Sequence, residues 1–466
     1  MNKKKYNQLK SYLNKILILD SNCDFTFISN LHLPKPGIDT INMKEFFDTS
    51  LIKYLLINIK NSFILILHIF LKLRNNGLKY NYLKKTYDNV FVCHLNDSSQ
   101  LNDLYRNNHF GDLLKVYSKQ SNVLKIFIDH RKFKNLIDEE HEDIVIINSK
   151  INFLRYLNII LILIKRLKKI KIFFKKYNFE NINFNRYIKN SIFDRSSVLN
   201  YNFYNEIKKI IKSFEPNNIF FTFEGHSYER LIILAANSSN KKVKTFAYPH
   251  GCITKFQNSM FLKLNHKVMP DYILCPGNIT FQYFSKKSFK NLLIIGSPRF
   301  FNNKIKRQVL NLKNILIIPD GSISETTQLF ELSIFLAKKY KNLKFFFKFH
   351  PHFDDIDKFI NFQRPKNLII HMNKNFSFYS KTCHVVIFKG SAAILEYVLS
   401  GLVPKYYASP FFPSKNILFE FEESIKFEKN DNFLLRYEEV LFSKIQSFCK
   451  NYYVKQDINF HKLNLF

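Results

Sequence analysis

The sequence predicts an α/β protein with two doubly wound parallel sheets facing each other across a cleft. Three observations lead there. Short runs of β-branched and aromatic residues recur through the second half of the chain, stretches with helical patterning separate them, and most runs end in glycine, proline or a charged residue. Strands that are apolar throughout belong to sheets covered on both faces. Strands alternating with helices give parallel order.

In order, the runs are "NIFFTFE" (218–224), "VKTFAYPH" (243–250), "YILCPG" (272–277), "LLIIGSPR" (292–299), "ILIIPDGS" (315–322), "KFFFKFHPH" (344–352), "NLIIHM" (367–372), "VVIFKGS" (385–391) and "VPKYYA" (403–408). Their ends present Glu224-Gly225, Pro249-His250-Gly251, Asp320-Gly321, His350-Pro351 and Lys389-Gly390-Ser391. Ligands of open α/β sheets bind beyond the carboxyl ends of the strands, so these residues are the candidates for chemistry. Upstream, strands are expected at "KILILD" (15–20), "VFVCHL" (90–95) and "DIVIIN" (143–148). The polar, basic stretch "SPRFFNNKIKRQVLNLKN" marks a boundary, giving domains over 1–298 and 299–466. No internal repeat is evident.

A chain of 466 residues can bury two full cores. Its formal charge of +34, from 71 Lys and Arg against 37 Asp and Glu, favours an anionic partner such as a membrane surface or a phosphorylated substrate. Part of that surplus reflects the heavy use of Asn, Lys, Ile, Phe and Tyr that an AT-rich genome imposes. No nucleic-acid-binding signature is present, so nucleic acid is not an expected partner. Six cysteines, none in a CxxC pair, exclude a zinc site or disulfide framework and suit a reducing cytoplasm. The N-terminal stretch lacks the apolar core of a secretory signal. The apolar runs "NSFILILHIFL" (61–71) and "YLNIILILI" (156–164) are shorter than the about 20 residues a bilayer span needs. Runs this short read first as core helices; the alternative is peripheral membrane binding, because "IILILIKRLKKIKIFFKKY" (159–177) mixes apolar and cationic residues as interfacial helices do.

Four stretches carry candidate sites. In "PDGSISETTQLFELSIFLAKKY" (319–340), Ser322 and Glu325 have capping-box spacing, which starts a helix just after Gly321 and offers its N–H groups to a phosphate. In "FKFHPH", Lys348 and His350 lie at period two, and Pro351 stiffens the turn that aims the imidazole. In "FKGSAAILEYVLSGLVP" (388–404), Gly390, Ser391 and Ala392 allow close approach of a phosphate, and Glu396 is placed to accept from ribose hydroxyls. "FEGHSYER" and "YPHG" offer Glu224, His226, Glu229 and His250 as acid–base groups, with surface charge the plainer reading of Glu229. "DDID" (354–357) reads as solvated charge, and no metal site is expected.

In sequence order, PHG, CPG, GSPR, PDG, KFHPH and KGSAAILEYVLSG resemble bacterial surface-polysaccharide glycosyltransferases of the GT-B type, including sialyltransferase-like and Kdo-transferase-like families. The resemblance covers about residues 216–408 and extends to a surface carbohydrate biosynthesis group in which an acidic pair precedes a PHG-like turn. It implies two Rossmann-like domains, with a nucleotide-sugar donor, a CMP-sugar foremost, on the C-terminal one. His350-Pro351 would hold the donor phosphate with Ser391, Lys348, Asp320, Gly321, Ser322 and Gly390 around it. The family's acidic-Gly motif is matched in part by both Glu224-Gly225 and Asp320-Gly321; Glu224 is the preferred base and His250 the second choice. No cofactor or metal is implied. The acceptor would be a glycan or lipid-linked precursor of capsule, lipopolysaccharide or O-antigen, at the inner face of the cytoplasmic membrane. Rival expectations are a sugar-nucleotide epimerase, a glycerophosphotransferase and a non-enzymatic membrane-associated scaffold.

Overall fold

This computed structural model describes residues 86–95, 109–129, 143–147, 153–178, 195–254, 266–301, 313–351, 355–371, 375–408, 415–432 and 438–457, with single positions besides. The run 61–71, His352 and Asp354 lie outside the described residues.

Two parallel sheets carry the chain, as the alternation of apolar runs and helices predicts. The first holds β1 (Asn89–Leu95), β2 (Val123–Asp129), β3 (Ile144–Ile147), β4 (Asn218–Thr222), β5 (Lys244–Tyr248), β6 (Tyr272–Cys275) and β7 (Leu292–Ile294), in spatial order β3-β2-β1-β4-β5-β6-β7. The second holds β8 (Asn314–Ile318), β9 (Lys344–Phe347), β10 (Leu368–Ile370), β11 (Val385–Phe388), β12 (Val403–Tyr407) and β13 (Lys426–Phe427), in order β10-β9-β8-β11-β12-β13. Each sheet is wound outward from its middle, and the winding reverses between β1 and β4 and between β8 and β11. A reversal leaves a crevice at the strands' carboxyl ends, because the flanking connections depart to opposite sides.

Helices cover the faces: α1 (Asp112–Gln120), α2 (Phe153–Lys176), α3 (Arg195–Phe214), α4 (Ser227–Ala236), α5 (Asn278–Lys286), α6 (Ile323–Lys339), α7 (Asp357–Ile360), α8 (Phe376–Thr382), α9 (Ile394–Leu399), α10 (Glu422–Ile425) and α11 (Glu439–Tyr452). Among the described residues no helix is long and apolar enough to cross a membrane. The expected strand at 15–20 is corrected: Lys15, Ile16 and Leu19 are helical. Apolar residues at 13, 16 and 19 follow helical spacing, and Ile16 is buried while Lys15 is exposed.

Register in the first sheet is reinforced by an aromatic stack. Phe91, Phe220, Phe246 and Tyr272 are partners across four neighbouring strands. Their ring centroids lie 4.5, 4.7 and 4.9 Å apart and nearly parallel. A one-residue slip would turn every ring to the other face. In the second sheet the side chains alternate likewise: Phe345, Phe347 and Phe349 pack on the α6 side, Phe346 on the α9–α11 side.

After α11 the chain returns to the first sheet. Val454 N–H donates to Pro276 O at 3.0 Å, Ser297 N–H to Val454 O at 3.0 Å, and Asp457 N–H to Ile295 O at 2.9 Å. Gln456 donates to Phe110 O at 2.8 Å. The Tyr452 hydroxyl, also buried, meets the backbone of Ile253. The two sheets are therefore joined twice, by the 296–313 connection and by this returning strap.

Candidate active site

Both reversal points gather polar side chains. At the β1/β4 crevice, His94 is the penultimate residue of β1 and Thr222 closes β4. His94 Nε2 lies 2.8 Å from Thr222 Oγ1 and 3.2 Å from the Tyr228 hydroxyl. The His109 ring stands edge-on to His94 at 5.7 Å and to His250 at 4.3 Å. Glu224 reaches between two imidazoles, with Oε1 3.4 Å from His250 Nε2 and Oε2 3.3 Å from His226 Nε2. It lies close over Gly251, where a Cβ would come within 2.4 Å of Oε1. His226 stacks on Tyr228 at 5.1 Å. Burial, then the negative charges of Glu229 and Glu224, hold the Tyr228 hydroxyl well above its ordinary pKa, so it stays a neutral donor.

Glu229 is not surface charge. Its carboxylate is fully buried and accepts from Glu224 N–H at 2.8 and 2.9 Å and from His226 N–H at 2.7 Å. It fixes the turn that carries Glu224, because three charge-assisted bonds leave the backbone little freedom. Arg230, also fully buried, donates to Val268 O and packs on the Phe223 ring, tying the same turn to the segment after β5.

At the β8/β11 crevice, Gly321 has φ +91°, a conformation that favours glycine. A Cβ there would lie 2.8 Å from His350 Cγ and 2.9 Å from Nδ1, so the His350 ring rests on the turn itself. Asp320 accepts from Ser322 N–H at 2.8 Å and the Ser322 hydroxyl at 2.6 Å, and pairs with Lys415 at 2.5 Å. Burial raises the Asp320 pKa, but Lys415 and Ser322 outweigh it and hold the carboxyl down to about 2. Glu325 bridges the crevice: its Oε1 accepts from Asp320 N–H at 2.9 Å, after β8, and from Gly390 N–H at 3.0 Å, after β11.

The expected capping box is thus altered. Ser322 is the N-cap of α6, but Glu325 reaches past it to Asp320 and across to the next strand. The N–H groups of Asp320, Ser322 and Gly390 are engaged within the protein, by Glu325, Asp320 and Glu325 respectively. Lys348 is half-buried and feels Glu396: burial lowers its pKa and Glu396 opposes this. Reciprocally, burial raises Glu396 and Lys348 opposes it. Lys389, nearly buried, lies 2.5 Å from Gln328 Oε1. Ser391 is buried, Ala392 packs partly against the core and Pro351 is exposed.

A shared device underlies both crevices. "EGHSYE" (224–229) and "DGSISE" (320–325) each place an acid, a glycine at φ +81° or +91°, and a glutamate five residues on that accepts the first acid's N–H. This short internal repeat corrects the expectation that there is none. Lys389 stood at the end of its run, whereas His94, His109, Tyr228 and Lys415 complete the two clusters and were not singled out from the sequence. His94 alone carried a usable signal, its place at the end of "VFVCHL".

Two expected outcomes follow. Gly321→Ala should cost about 1–3 kcal/mol, the range for a residue forced into an unfavourable backbone region, read as a lowered denaturant midpoint. Unchanged stability would mean that the turn relaxes freely. Burial and then Asp320 push Glu325 up to about 8, against the opposing pull of Lys415, 3.7 Å from its Oε2. A carboxyl whose folded pKa is raised contributes stability fully below its unfolded value of 4.5 and loses it as pH rises through about 8. Glu325→Gln keeps the acceptor, so its thermal midpoint should be flatter than wild type across that window. Parallel pH profiles for the two proteins would show that Glu325 does not titrate there.

No protein-family model matches the chain, and no curated protein does. Among solved structures it is similar to the UDP-GlcNAc 2-epimerase of Methanocaldococcus jannaschii, at 10% identity and TM-score 0.37, covering 79% of this chain and 94% of that one. Acinetobacter baumannii MurG is similar at 11% identity and TM-score 0.40, covering 78% and 91%. The glycosyltransferase SnogD of Streptomyces nogalater is similar at 7% identity and TM-score 0.40, covering 78% and 95%.

Proposed function

We propose that this chain is a GT-B glycosyltransferase that moves a sugar from a nucleotide-sugar, a CMP-sugar foremost, to a surface-glycan or lipid-linked precursor at an anionic membrane face. One observation supports the reading: the two crevices gather different side chains, as the two halves of glycosyl transfer would require. The β8/β11 crevice offers cationic groups and an imidazole around a tight glycine turn, which suits a donor's phosphate. The β1/β4 crevice offers a carboxylate between imidazoles, which suits deprotonation of an acceptor hydroxyl.

In this mechanism the donor's phosphate lies over Gly321, with His350, Lys348 and Lys389 as its donors and Ser391 and Glu396 beside the rest of the nucleotide. As the bond from the anomeric carbon to the phosphate oxygen breaks, its electron pair goes to that oxygen. The fixed donors stabilise the charge that develops there without reorganising. Glu224 takes the acceptor proton as the new glycosidic bond forms, with His250 holding the carboxylate in place. The donor domain would be 299–466 and the acceptor domain 1–298.

A second reading, a sugar-nucleotide epimerase, draws on the same Glu224–His250 pair, because moving a proton on a sugar carbon also needs a paired acid and base. A thermal-shift panel of CMP, UDP, GDP and their sugars tests the donor site. Stabilisation by at least one nucleotide is expected, and none would sink both readings. Mass spectrometry and chromatography of the responsive nucleotide-sugar, incubated without acceptor, separate the two. An isomerised sugar would replace transfer with epimerisation.

A further inference from the structure

We propose that the groove between α2 and α3 is a headgroup site through which the protein docks on a bilayer of anionic phospholipid. This deepens the membrane part of the proposed function and rests on it. The two helices run antiparallel, since Arg155 pairs with Glu206 and, a few turns on, Arg166 lies 5.8 Å over Tyr201. Between them is a groove of about 620 Å³. Lys208, Lys209 and Lys212 line its α3 wall, and Leu154, Asn158 and Ile162 its α2 wall.

The electrostatics fit a phosphodiester. α2 has no acidic residue in its 24 positions, and Lys165, Lys168, Lys169, Lys171, Lys175 and Lys176 extend its exposed face towards the C-terminus. The acid beside the groove, Glu206, is buried and held by Arg155 and by Lys209 at 3.3 Å, so it does not oppose an incoming anion.

The apolar side chains decide the source of that phosphate. Leu154 and Leu161 are 77% and 58% exposed, and Leu157 and Ile164 lie between and beyond them on the same stripe. A soluble phosphate gives such residues nothing to cover them, and single-stranded nucleic acid, for which Tyr201 offers one stacking face in the groove, would leave the leucine stripe uncovered. A membrane interface satisfies both halves, taking the leucines at the acyl boundary and the lysines among the headgroups. The buried residues Tyr156, Ile159 and Leu163 keep the opposite face of α2 turned towards the protein. α3 in turn packs on α4, the helix that begins at the Glu224 turn.

The test is co-sedimentation of the full chain with vesicles of phosphatidylcholine containing phosphatidylglycerol, against phosphatidylcholine alone. Binding should need the anionic lipid and weaken with salt. Lys208→Ala/Lys212→Ala should weaken it about thirtyfold, from two surface cations. Leu157→Ser/Leu161→Ser should weaken it at low and high salt alike. Each variant should keep the wild-type thermal midpoint and nucleotide-induced shift, which separates loss of this site from loss of fold or donor site. Binding by either variant equal to wild type would overturn the proposal. So would equal binding to phosphatidylcholine alone, or retention of polyuridylic acid in place of vesicles.

Discussion

Glu224→Gln is expected to lower turnover by about 10²–10⁴-fold, the range over which a positioned general base contributes, while nucleotide binding stays near wild type. The amide matches the carboxylate in shape and can keep its place between His226 and His250. It cannot accept the acceptor's proton. In the proposed mechanism the nucleotide sits at the other crevice, against Lys348, His350 and Lys389, so its thermal shift should persist. Turnover measured with the donor found by the thermal-shift panel, beside that shift, makes the comparison. A Gln variant that turns over normally would remove Glu224 from the chemistry. Loss of both turnover and nucleotide binding would place it at the donor instead.

His350→Ala should lower turnover by about 10²–10³-fold, as when one preorganised donor is removed from a developing negative charge. The ring rests against the Gly321 turn rather than in solvent, so its position is set before substrate arrives. Its contact with the leaving phosphate should strengthen as the bond breaks, and the loss should therefore fall on kcat more than on KM. The same geometry couples the two positions. With the imidazole gone, Gly321→Ala meets no ring, so the double variant should be less destabilised than the sum of the singles by an amount readable in a double-mutant cycle. A purely additive cycle and an unchanged kcat would together make His350 structural.

The strands were legible wherever they formed unbroken apolar runs, and this is why β4 to β12 follow the sequence so closely. β2 was not read, because Lys125 interrupts "VLKIFID"; that lysine is buried in the sheet, where tertiary packing overrides the pattern. β13 is two residues long and leaves no periodicity to find. Lys15, Ile16 and Leu19, which are helical, were misread as strand because alternating and helical spacing overlap in a short apolar stretch. Site residues on strand ends, such as Glu224, His250 and His350, were visible as punctuation after the runs. Partners brought in from afar were not: His94 meets Thr222 across 128 positions, and Lys415 reaches Asp320 across 95. Glu325 illustrates a third limit. Its spacing announced a cap, yet which N–H groups it caps depends on where β11 lies beside β8, and that is a property of the sheet.

The returning strap has a consequence for how the chain is made. During synthesis the first sheet leaves the ribosome up to β7 while residues 453–457 are still to be translated, a delay of roughly 10–30 s at ordinary elongation rates. Throughout that interval Pro276, Ile295 and Ser297 await the backbone partners that will complete the sheet's margin. The amino-terminal half thus emerges first and matures last. Nascent chains arrested before residue 453 should accordingly show a protease-sensitive margin beyond β6 and β7 that closes only on release of longer chains.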